Sequence, residues 1–393
     1  MFRQSLSDRI APCLMALLLC VPQGAWAQHA NEPAAIDVWP GMPPLIDPDN
    51  LYAGAASSRL NPAAASALPR VYVPNVKSGN VDVIDPETLK VVNRFKAGRS
   101  PQHVVPSWDL KTLWVTNSAD RRHGQGSLLP IDPVTAQPGR PIPVPDAYNM
   151  YFMPDGRSAI VVAEAYRRLE FRDPRTMALQ HSLPVPQCAG INHADFSIDG
   201  RYAIFTCEFG GSLVKIDLVK GVVAGSLKLS KGGMPQDIRI SPDGKVFYVA
   251  DMRADGVFLV DGGSLTEIGF IPTGPGTHGL YPSRDGTKLY VANRGSHRTD
   301  GPPRGPGSVS VIDFASRRVE TNWPVPGGGS PDMGNVSADG TRLWLSGRYD
   351  GVVYAIDTST GEMRTVPVGK SPHGLTVWPQ PGRYSLGHTG NMR

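Results

Sequence analysis

One sequence pattern recurs seven times along the chain, and it constrains the fold more than any other feature. In each copy an apolar segment leads into a turn rich in Pro, Asp and Gly, and a second apolar segment follows. The copies span residues 102–117, 148–164, 192–208, 236–251, 278–293, 332–347 and 373–388, so their starts are 46, 44, 44, 42, 54 and 41 residues apart. Periods in this range are typical of four-stranded propeller blades.

The rest of each repeat supplies two more short strands. A third apolar segment ends in Ile-Asp in most copies, where the Asp can cap the following turn, and a valine-rich fourth segment completes the unit. The chain has 43 Gly, 38 Pro and only 19% charged residues, and long amphipathic helical patterns are scarce. This composition indicates an all-β protein of short strands and tight turns.

The two ends of the repeat region are incomplete in complementary ways. Residues 70–97 hold the second, third and fourth strands of a blade but no first strand, whereas residues 373–379 supply a first strand without a full blade behind it. Pairing them closes the ring and leaves no free sheet edge. We therefore predict a seven-bladed β-propeller of four-stranded blades over residues 70–393, with N- and C-terminal strands sharing one blade.

The N-terminal region has the features of an export signal. Two arginines precede a short apolar run, and Ala25 and Ala27 fit the small-residue pattern of signal peptidase. We expect residues 1–27 to be a cleaved signal peptide and residues 28–69 to be a Pro/Ala-rich leader, extended or partly ordered. A lipoprotein that uses Cys20 is the alternative. No other segment has 18 uninterrupted apolar residues, so we expect no membrane span. With an export signal, the protein should be periplasmic or secreted. We also expect a monomer.

Two cysteines remain after the expected cleavage. Cys188 precedes the first strand of its blade and Cys207 is near the end of the second strand, so both lie at the same face of a propeller. We predict that they form a disulfide, which persists in an oxidising compartment. Free buried thiols, or a redox or metal function, are the alternatives.

Four-residue motifs at the strand ends connect the chain to a known family. "YVPN" (72–75), "WVTN" (114–117), "YVAD" (248–251) and "YVAN" (290–293), together with "SPDG" and "PHGL", resemble the YVTN-family (YncE-like) propeller repeat over residues 70–388. The resemblance implies the propeller fold but not one function, because the family includes surface-layer and exported nucleic-acid-binding members. Related propellers include lactonases, the haem-binding domain of cytochrome-type nitrite reductases and the heavy subunit of methylamine dehydrogenase, whose local cysteine arrangement is similar.

Aligning the repeats places polar side chains around one mouth of the central channel. First strands and second-strand ends contribute the candidate ligand-binding residues His103, His193, His278, His373, Asn117, Glu208, Asp251 and Asn293. A structural role, in which these side chains satisfy backbone groups, is the alternative for each residue. We expect no metal site, because the blades should spread the histidines around the ring.

Basic residues are predicted at the same rim. Two loops and one strand end contribute Arg121, Arg122, Arg294, Arg298 and Arg348. The partner expected here is anionic: a small molecule bearing phosphate or carboxylate, a nucleic acid, or an acidic protein. A merely solvated basic rim is the alternative, and the formal charge of +4 does not by itself indicate nucleic acid. If His278 and His373 bind as cations, binding should strengthen below about pH 6.5.

The sequence favours binding over catalysis. It contains no nucleophile elbow, Walker loop, dinucleotide fingerprint or zinc motif, so we predict no catalytic residues and no cofactor. The alternative is a haem- or cofactor-associated periplasmic oxidoreductase component, or a lactonase-like hydrolase. It would use the ring of His, Glu and Asp, with haem or a divalent metal at the channel mouth.

Overall fold

A computed structural model describes residues 36–119, 125–299 and 306–393 of the protein. The described chain forms seven antiparallel sheets, each of which is one blade of a propeller. The predicted fold is therefore confirmed. The signal-peptide prediction lies outside the described residues.

The first three blades contain strands β1 to β12. Blade 1 contains β1 (Arg70–Asn75), β2 (Asn80–Asp85) and β3 (Lys90–Lys96). Blade 2 contains β4 (Pro101–Pro106), β5 (Leu113–Asn117), β6 (Gly126–Asp132), β7 (Gln137–Pro138) and β8 (Ile142–Val144). Blade 3 contains β9 (Asn149–Phe152), β10 (Ala159–Ala163), β11 (Arg168–Arg172) and β12 (Leu179–Pro184).

The next four blades repeat the same arrangement. Blade 4 contains β13 (Ile191–Phe196), β14 (Tyr202–Cys207), β15 (Ser212–Asp217) and β16 (Val222–Lys228). Blade 5 contains β17 (Pro235–Ile240), β18 (Val246–Asp251), β19 (Gly256–Asp261) and β20 (Thr266–Pro272). Blade 6 contains β21 (Thr277–Pro282), β22 (Lys288–Asn293), β23 (Ser308–Asp313) and β24 (Arg318–Pro324). Blade 7 contains β25 (Pro331–Val336), β26 (Arg342–Gly347), β27 (Val352–Asp357) and β28 (Met363–Pro367).

The last strand, β29 (Thr376–Trp378), closes the ring. It pairs antiparallel with β1, with Arg70 opposite Trp378 and Tyr72 opposite Thr376. β29 is thereby the innermost strand of blade 1, as predicted. The outer edge of blade 2 is divided into two strands, β7 and β8, which both pair with β6. Prolines in this stretch cannot donate ladder hydrogen bonds, which accounts for the interruption.

Burial increases from the outside of each blade towards the channel. The outer strand β16 alternates between exposed and half-buried residues, whereas the innermost strand β13 is buried throughout.

The turns between first and second strands follow the Ser-x-Asp-Gly pattern. In blade 5 the Ser241 hydroxyl donates to Asp243 and accepts from the backbone N–H of Val246, and Gly244 has a φ of +71°. Gly tolerates this left-handed conformation without strain, which explains its place in the repeat.

The predicted disulfide is present. Cys188 and Cys207 are bonded, with Cα atoms 4.9 Å apart, and both are fully buried. The bond links the segment that leads into β13 to the end of β14, so it secures the inner part of blade 4.

The described part of the leader, residues 36–69, lies against the blades. It contains two short 3₁₀ helices, Ala53–Ala55 and Pro62–Ala64, and a third is found at Glu164–Tyr166 in blade 3. The Tyr52 hydroxyl donates to the carbonyl of Ile240, at the end of the innermost strand of blade 5. Among the described residues there is no helix of sufficient length and apolarity to cross a membrane.

The segment after β29 folds back into the channel. Residues 384–393 form a tight hairpin in which the Leu386 N–H donates to Asn391 and the bridge Ser385–Met392 closes the pair. We call these residues the C-terminal hairpin. The N–H of His388 donates to the carbonyl of Met150 in blade 3, and Arg393 contacts the Asp195 carboxylate in blade 4. The hairpin therefore fills the channel at the end opposite the one where the innermost strands begin.

Candidate functional site: the mouth of the central channel

A polar cavity of about 330 Å³ opens where the innermost strands begin. All seven blades contribute to its lining: five through a residue near the start of their first strand, and blades 4 and 7 through Glu208 and Arg348, which follow their second strands. The lining side chains include Gln102, Tyr148, Glu164, Glu208, Gln236, His278, Arg294, Arg348 and His373. We call this space the mouth cavity. It contains five of the residues predicted from the sequence: Glu208, His278, Arg294, Arg348 and His373.

A buried carboxylate, Asp332, organises one side of the mouth cavity. It contacts Arg294 Nε at 3.1 Å, His278 Nδ1 at 3.0 Å and His373 Nδ1 at 2.8 Å. Burial alone would raise the pKa of this carboxyl. The charge of Arg294 and the contacts with the two histidines outweigh burial and hold the pKa of Asp332 well below its usual range. Asp332 thus ties blades 6, 7 and 1 together as a permanent anion.

The two mouth histidines are neutral rings. Burial, the main cause, lowers the pKa of His373 to about 3. The charge of Arg348 lowers this pKa further, whereas the Asp332 carboxylate raises it. Burial and the charge of Arg294 also lower the pKa of His278. The premise that these histidines become cations near pH 6.5 is therefore wrong, and a rise in anion binding below that pH is not expected from them.

Arg348 is a cation of the mouth cavity with a buried donor that lacks a partner among the described residues. Its Nη1 atom is buried and has no hydrogen-bond partner among the described residues. Burial lowers the pKa of Arg348 below its usual value, but a guanidinium stays charged near pH 7. A buried donor of this kind is costly unless something accepts its hydrogen bond.

Acidic and neutral groups face the same space. Glu164 and Glu208 line the mouth cavity, and Glu208 accepts a hydrogen bond of 3.1 Å from the Asn192 amide. Burial, Glu208 and Glu164 raise the pKa of Tyr148 well above its usual value, so its hydroxyl remains protonated and can donate. The mouth cavity therefore presents both donors and acceptors to a ligand.

Three predicted residues lie outside the mouth cavity and stabilise the blades. The Asn117 amide donates to the carbonyl of Ala97, and the Asn293 amide donates to Ser310. Asp251 accepts from three backbone N–H groups, including that of Met234. These contacts correspond to the structural role that the sequence analysis gave as the alternative.

The predicted arginines divide into four groups. Arg294 is committed to Asp332, and its Nη1 atom also lies 3.3 Å from the carbonyl of Arg298. Arg298 is exposed at the rim, beside Thr299 of the mouth cavity. Arg121 and Arg122 lie outside the described residues. Within the described part of the mouth cavity, the predicted arginine with an unpaired donor is therefore Arg348 rather than Arg294.

His103 and His193 lie deeper in the channel, where they meet a third histidine. The ring centres of His103 and His193 are 5.3 Å apart, and His388 of the C-terminal hairpin is 5.1 Å from the former and 4.7 Å from the latter. The expectation that the blades keep the histidines apart is wrong for this pair. Blade 3 separates blades 2 and 4, but the channel is narrow enough for side chains of their innermost strands to meet inside it.

We call His103, His193 and His388 the histidine cluster. Burial lowers the pKa of His103 and His193 well below the usual value, and it also lowers that of His388. The rings are therefore neutral. His388 was missed from the sequence because residues 373–388 match the pattern as its seventh repeat, and nothing in that pattern indicates that its second half turns back into the channel.

This architecture and mouth define the protein as a ring-closed seven-bladed propeller with a polar cavity at one end of its channel. The chain belongs to the YncE-like β-propeller family, whose model matches residues 38–381. No curated protein matches the chain.

Several solved structures are similar to the chain at low sequence identity. One, described as "putative 6-phosphogluconolactonase" from Bacteroides uniformis, has a TM-score of 0.62 and 17% identity, and the match covers 78% of this chain and 98% of that one. A functionally unknown protein from Desulfotomaculum acetoxidans has a TM-score of 0.61 and 16% identity, with 79% and 99% covered. The dihydro-heme d1 dehydrogenase NirN has a TM-score of 0.57 and 16% identity, with 82% and 80% covered. At these identities the similarity shows the fold alone.

Proposed function

We propose that the protein is an exported, non-catalytic propeller that binds a small anionic molecule in the mouth cavity. The observation that carries this proposal is the buried Nη1 atom of Arg348, which has no hydrogen-bond partner among the described residues and belongs to a side chain of the cavity lining. An anion that accepts from this donor offsets the cost of its burial. Export to the periplasm or outside the cell is part of the proposal and rests on the features of residues 1–27.

The size of the mouth cavity favours a small ligand over a macromolecule. About 330 Å³ is at the lower end of the range for small-molecule sites, and a nucleic acid duplex does not fit inside it. Neutral donors and acceptors such as Gln102, Gln236 and Tyr148 can orient hydroxyl or carbonyl groups of the same ligand. A phosphate- or carboxylate-bearing molecule with several further polar groups matches this lining.

Asp332 itself is not available as a general base or nucleophile. A general base or nucleophile needs a free lone pair within reach of the substrate, whereas Asp332 already contacts Arg294, His278 and His373. The two histidines direct Nδ1 at this carboxylate, so they are fixed in orientation by it. The oxidoreductase and lactonase alternatives draw support from distant structures that share only the fold.

A panel of small anions tests the proposal. Titration calorimetry with phosphate, sulfate, succinate and citrate, and with glucose as a neutral control, should detect saturable binding of at least one anion. Arg348→Gln should weaken that binding at least tenfold, because a charge-assisted hydrogen bond contributes about 1.5 to 3 kcal/mol. Arg364→Gln is the matched control, since Arg364 is exposed on the outer strand of the same blade.

Two results would overturn the proposal. One is that no anion of the panel binds the folded wild-type protein. The other is that Arg348→Gln binds the same anion as tightly as wild type does. Binding that is weakened equally by Arg348→Gln and Arg364→Gln would show a general charge effect and would also contradict a specific site.

A further inference from the structure

The three rings of the histidine cluster are spaced as imidazole ligands around a metal ion. Their centres are 5.3, 5.1 and 4.7 Å apart, and the planes of the three pairs are inclined by 82°, 58° and 63°. Three imidazoles on a tetrahedral Zn²⁺, with Zn–N bonds of about 2.0 Å, place their ring centres roughly 5 Å apart. One ring nitrogen of each histidine already lies within 4.8 Å of those of the other two.

Nitrogen atoms of the histidine cluster are buried without partners. Both ring nitrogens of His103 and Nε2 of His193 have no hydrogen-bond partner among the described residues, and Nε2 of His388 has only a 3.5 Å contact with Asp237 there. All three side chains are fully buried. Burying a single polar atom without a partner is unfavourable, and here one ring nitrogen from each of blade 2, blade 4 and the C-terminal hairpin lies within 4.8 Å of the other two. A cation that takes imidazole ligands would satisfy three of them at once.

We propose that His103, His193 and His388 bind a divalent first-row transition-metal ion of the Zn²⁺ and Cu²⁺ class. Neutral imidazole suits these ions, and a site of three histidines leaves at least one coordination position for water or another ligand. The site is distinct from the mouth cavity, although the ring of His373 lies only 4.9 Å from that of His103. It combines strands of blades 2 and 4 with the C-terminal hairpin.

Asn149 is the positioning residue of this site. Its amide nitrogen lies 3.1 Å from His193 Nδ1 and 3.0 Å from His388 Nδ1, while its oxygen accepts from the N–H of Met150. Coordination through Nε2 leaves a proton on each Nδ1, and these protons need an acceptor. If the Asn149 side-chain amide is rotated by about 180°, its oxygen faces Nδ1 of both His193 and His388. The rotation gives up the hydrogen bond from the Met150 N–H and gains two hydrogen bonds from the rings. Amide oxygen and nitrogen are assigned from such patterns.

A metal-free arrangement competes with coordination. Asp237 lies 3.5 Å from His388 Nε2, so a proton on this nitrogen could be shared with the carboxylate. The oxygens of Asp237 also accept from the backbone N–H groups of Ile238 and Leu280. In the metal-free arrangement the Nε2 atoms carry protons, whereas an Nε2 atom that coordinates a metal does not. Measuring whether a metal ion binds therefore distinguishes the two arrangements.

The test is a titration of the mature protein, residues 28–393, purified without a polyhistidine tag and treated with a chelator. Addition of Co²⁺ should give the visible absorption of a tetrahedral Co²⁺ site at one equivalent per chain, and Zn²⁺ should displace it. His103→Gln, His193→Gln and His388→Gln should each weaken Zn²⁺ binding at least 100-fold. His181→Gln is the control, because His181 is exposed on the outer strand of blade 3.

Asn149→Asp separates the proposal from a purely structural role. A carboxylate offers an acceptor oxygen to both Nδ1–H groups and can still accept from Met150, so this variant should bind Zn²⁺ as tightly as wild type or up to tenfold more tightly. If the cluster were only a metal-free network, Asn149→Asp would create no metal affinity. This measurement keeps the proposal testable even where a histidine variant does not fold.

The proposal is overturned if the folded wild-type protein does not bind Co²⁺ or Zn²⁺ at one equivalent per chain. It is also overturned if binding survives His103→Gln unchanged or is lost in His181→Gln, since the ion would then be on the surface. None of these outcomes decides whether the mouth cavity binds an anion, so the two proposals fail independently.

Discussion

His373 Nδ1 lies 2.8 Å from Asp332 Oδ2, and this contact joins blade 7 to the blade that the last strand closes. Arg294 of blade 6 contacts the same carboxylate. Asp332→Asn keeps the shape of the side chain but removes its charge, which leaves Arg294 buried without a counterion. We expect the free energy of unfolding to fall by about 3 to 5 kcal/mol. Urea denaturation measures this loss, and a variant as stable as wild type would contradict the role assigned to Asp332.

The burial of His373 makes stability depend on pH. An unfolded histidine, with a pKa of about 6.5, takes up a proton that His373 accepts in the folded protein only near pH 3. Stability is therefore lost as the pH falls from 6.5 towards 3, by about 1.4 kcal/mol at pH 5.5. His373→Gln should remove this part of the difference in unfolding free energy between pH 7.5 and pH 5.5.

The disulfide should stabilise blade 4 without being essential to it. Thiol titration of denatured, unreduced protein covering residues 28–393 should find essentially no free thiol, because Cys188 and Cys207 are bonded. Replacing both with Ser should lower the free energy of unfolding by about 3 kcal/mol, as expected for a closed loop of this length. Two reactive thiols per chain would contradict the bond.

Closure of the ring should depend on β29. A chain that ends at residue 370 lacks this strand, so β1 presents an unpaired edge and the protein should aggregate. A chain that ends at residue 384 keeps β29 but loses His388 and the rest of the hairpin tip, and it should remain soluble with reduced stability. Size-exclusion chromatography and thermal unfolding distinguish the two. Cooperative unfolding of a soluble chain that ends at residue 370 would show that β29 is dispensable.

The periodic part of the sequence was sufficient to predict the blades, because each repeat carries its own turn residues and strand pattern. The incomplete unit at residues 70–97 and the lone strand at 373–379 together predicted the shared blade, and the pairing of Arg70 with Trp378 confirms it. The positions of Cys188 and Cys207 within one repeat likewise predicted their bond. These features depend on local pattern and on counting.

The chemistry inside the channel was less predictable. Whether a polar residue at a strand end faces the mouth cavity, as Glu208 does, or bonds within its blade, as Asn117 does, depends on side-chain direction. The commitment of Arg294 to Asp332 depends on contacts between blades that no spacing encodes. His388 reaches the cluster through a non-repeating hairpin, so its role follows only from the folded chain.

Among the described residues, the C-terminal hairpin closes one end of the channel and leaves the mouth cavity as its opening. Its tip contacts several blades: the carbonyl of Thr389 accepts hydrogen bonds from Asn335 and Thr376, and Arg393 contacts Asp195. A molecule in the mouth cavity must therefore leave by the route through which it entered. A protein that docks over the rim would slow both the entry and the release of a ligand. The lifetime of a bound ligand would then depend on what covers the rim as much as on the residues that bind it.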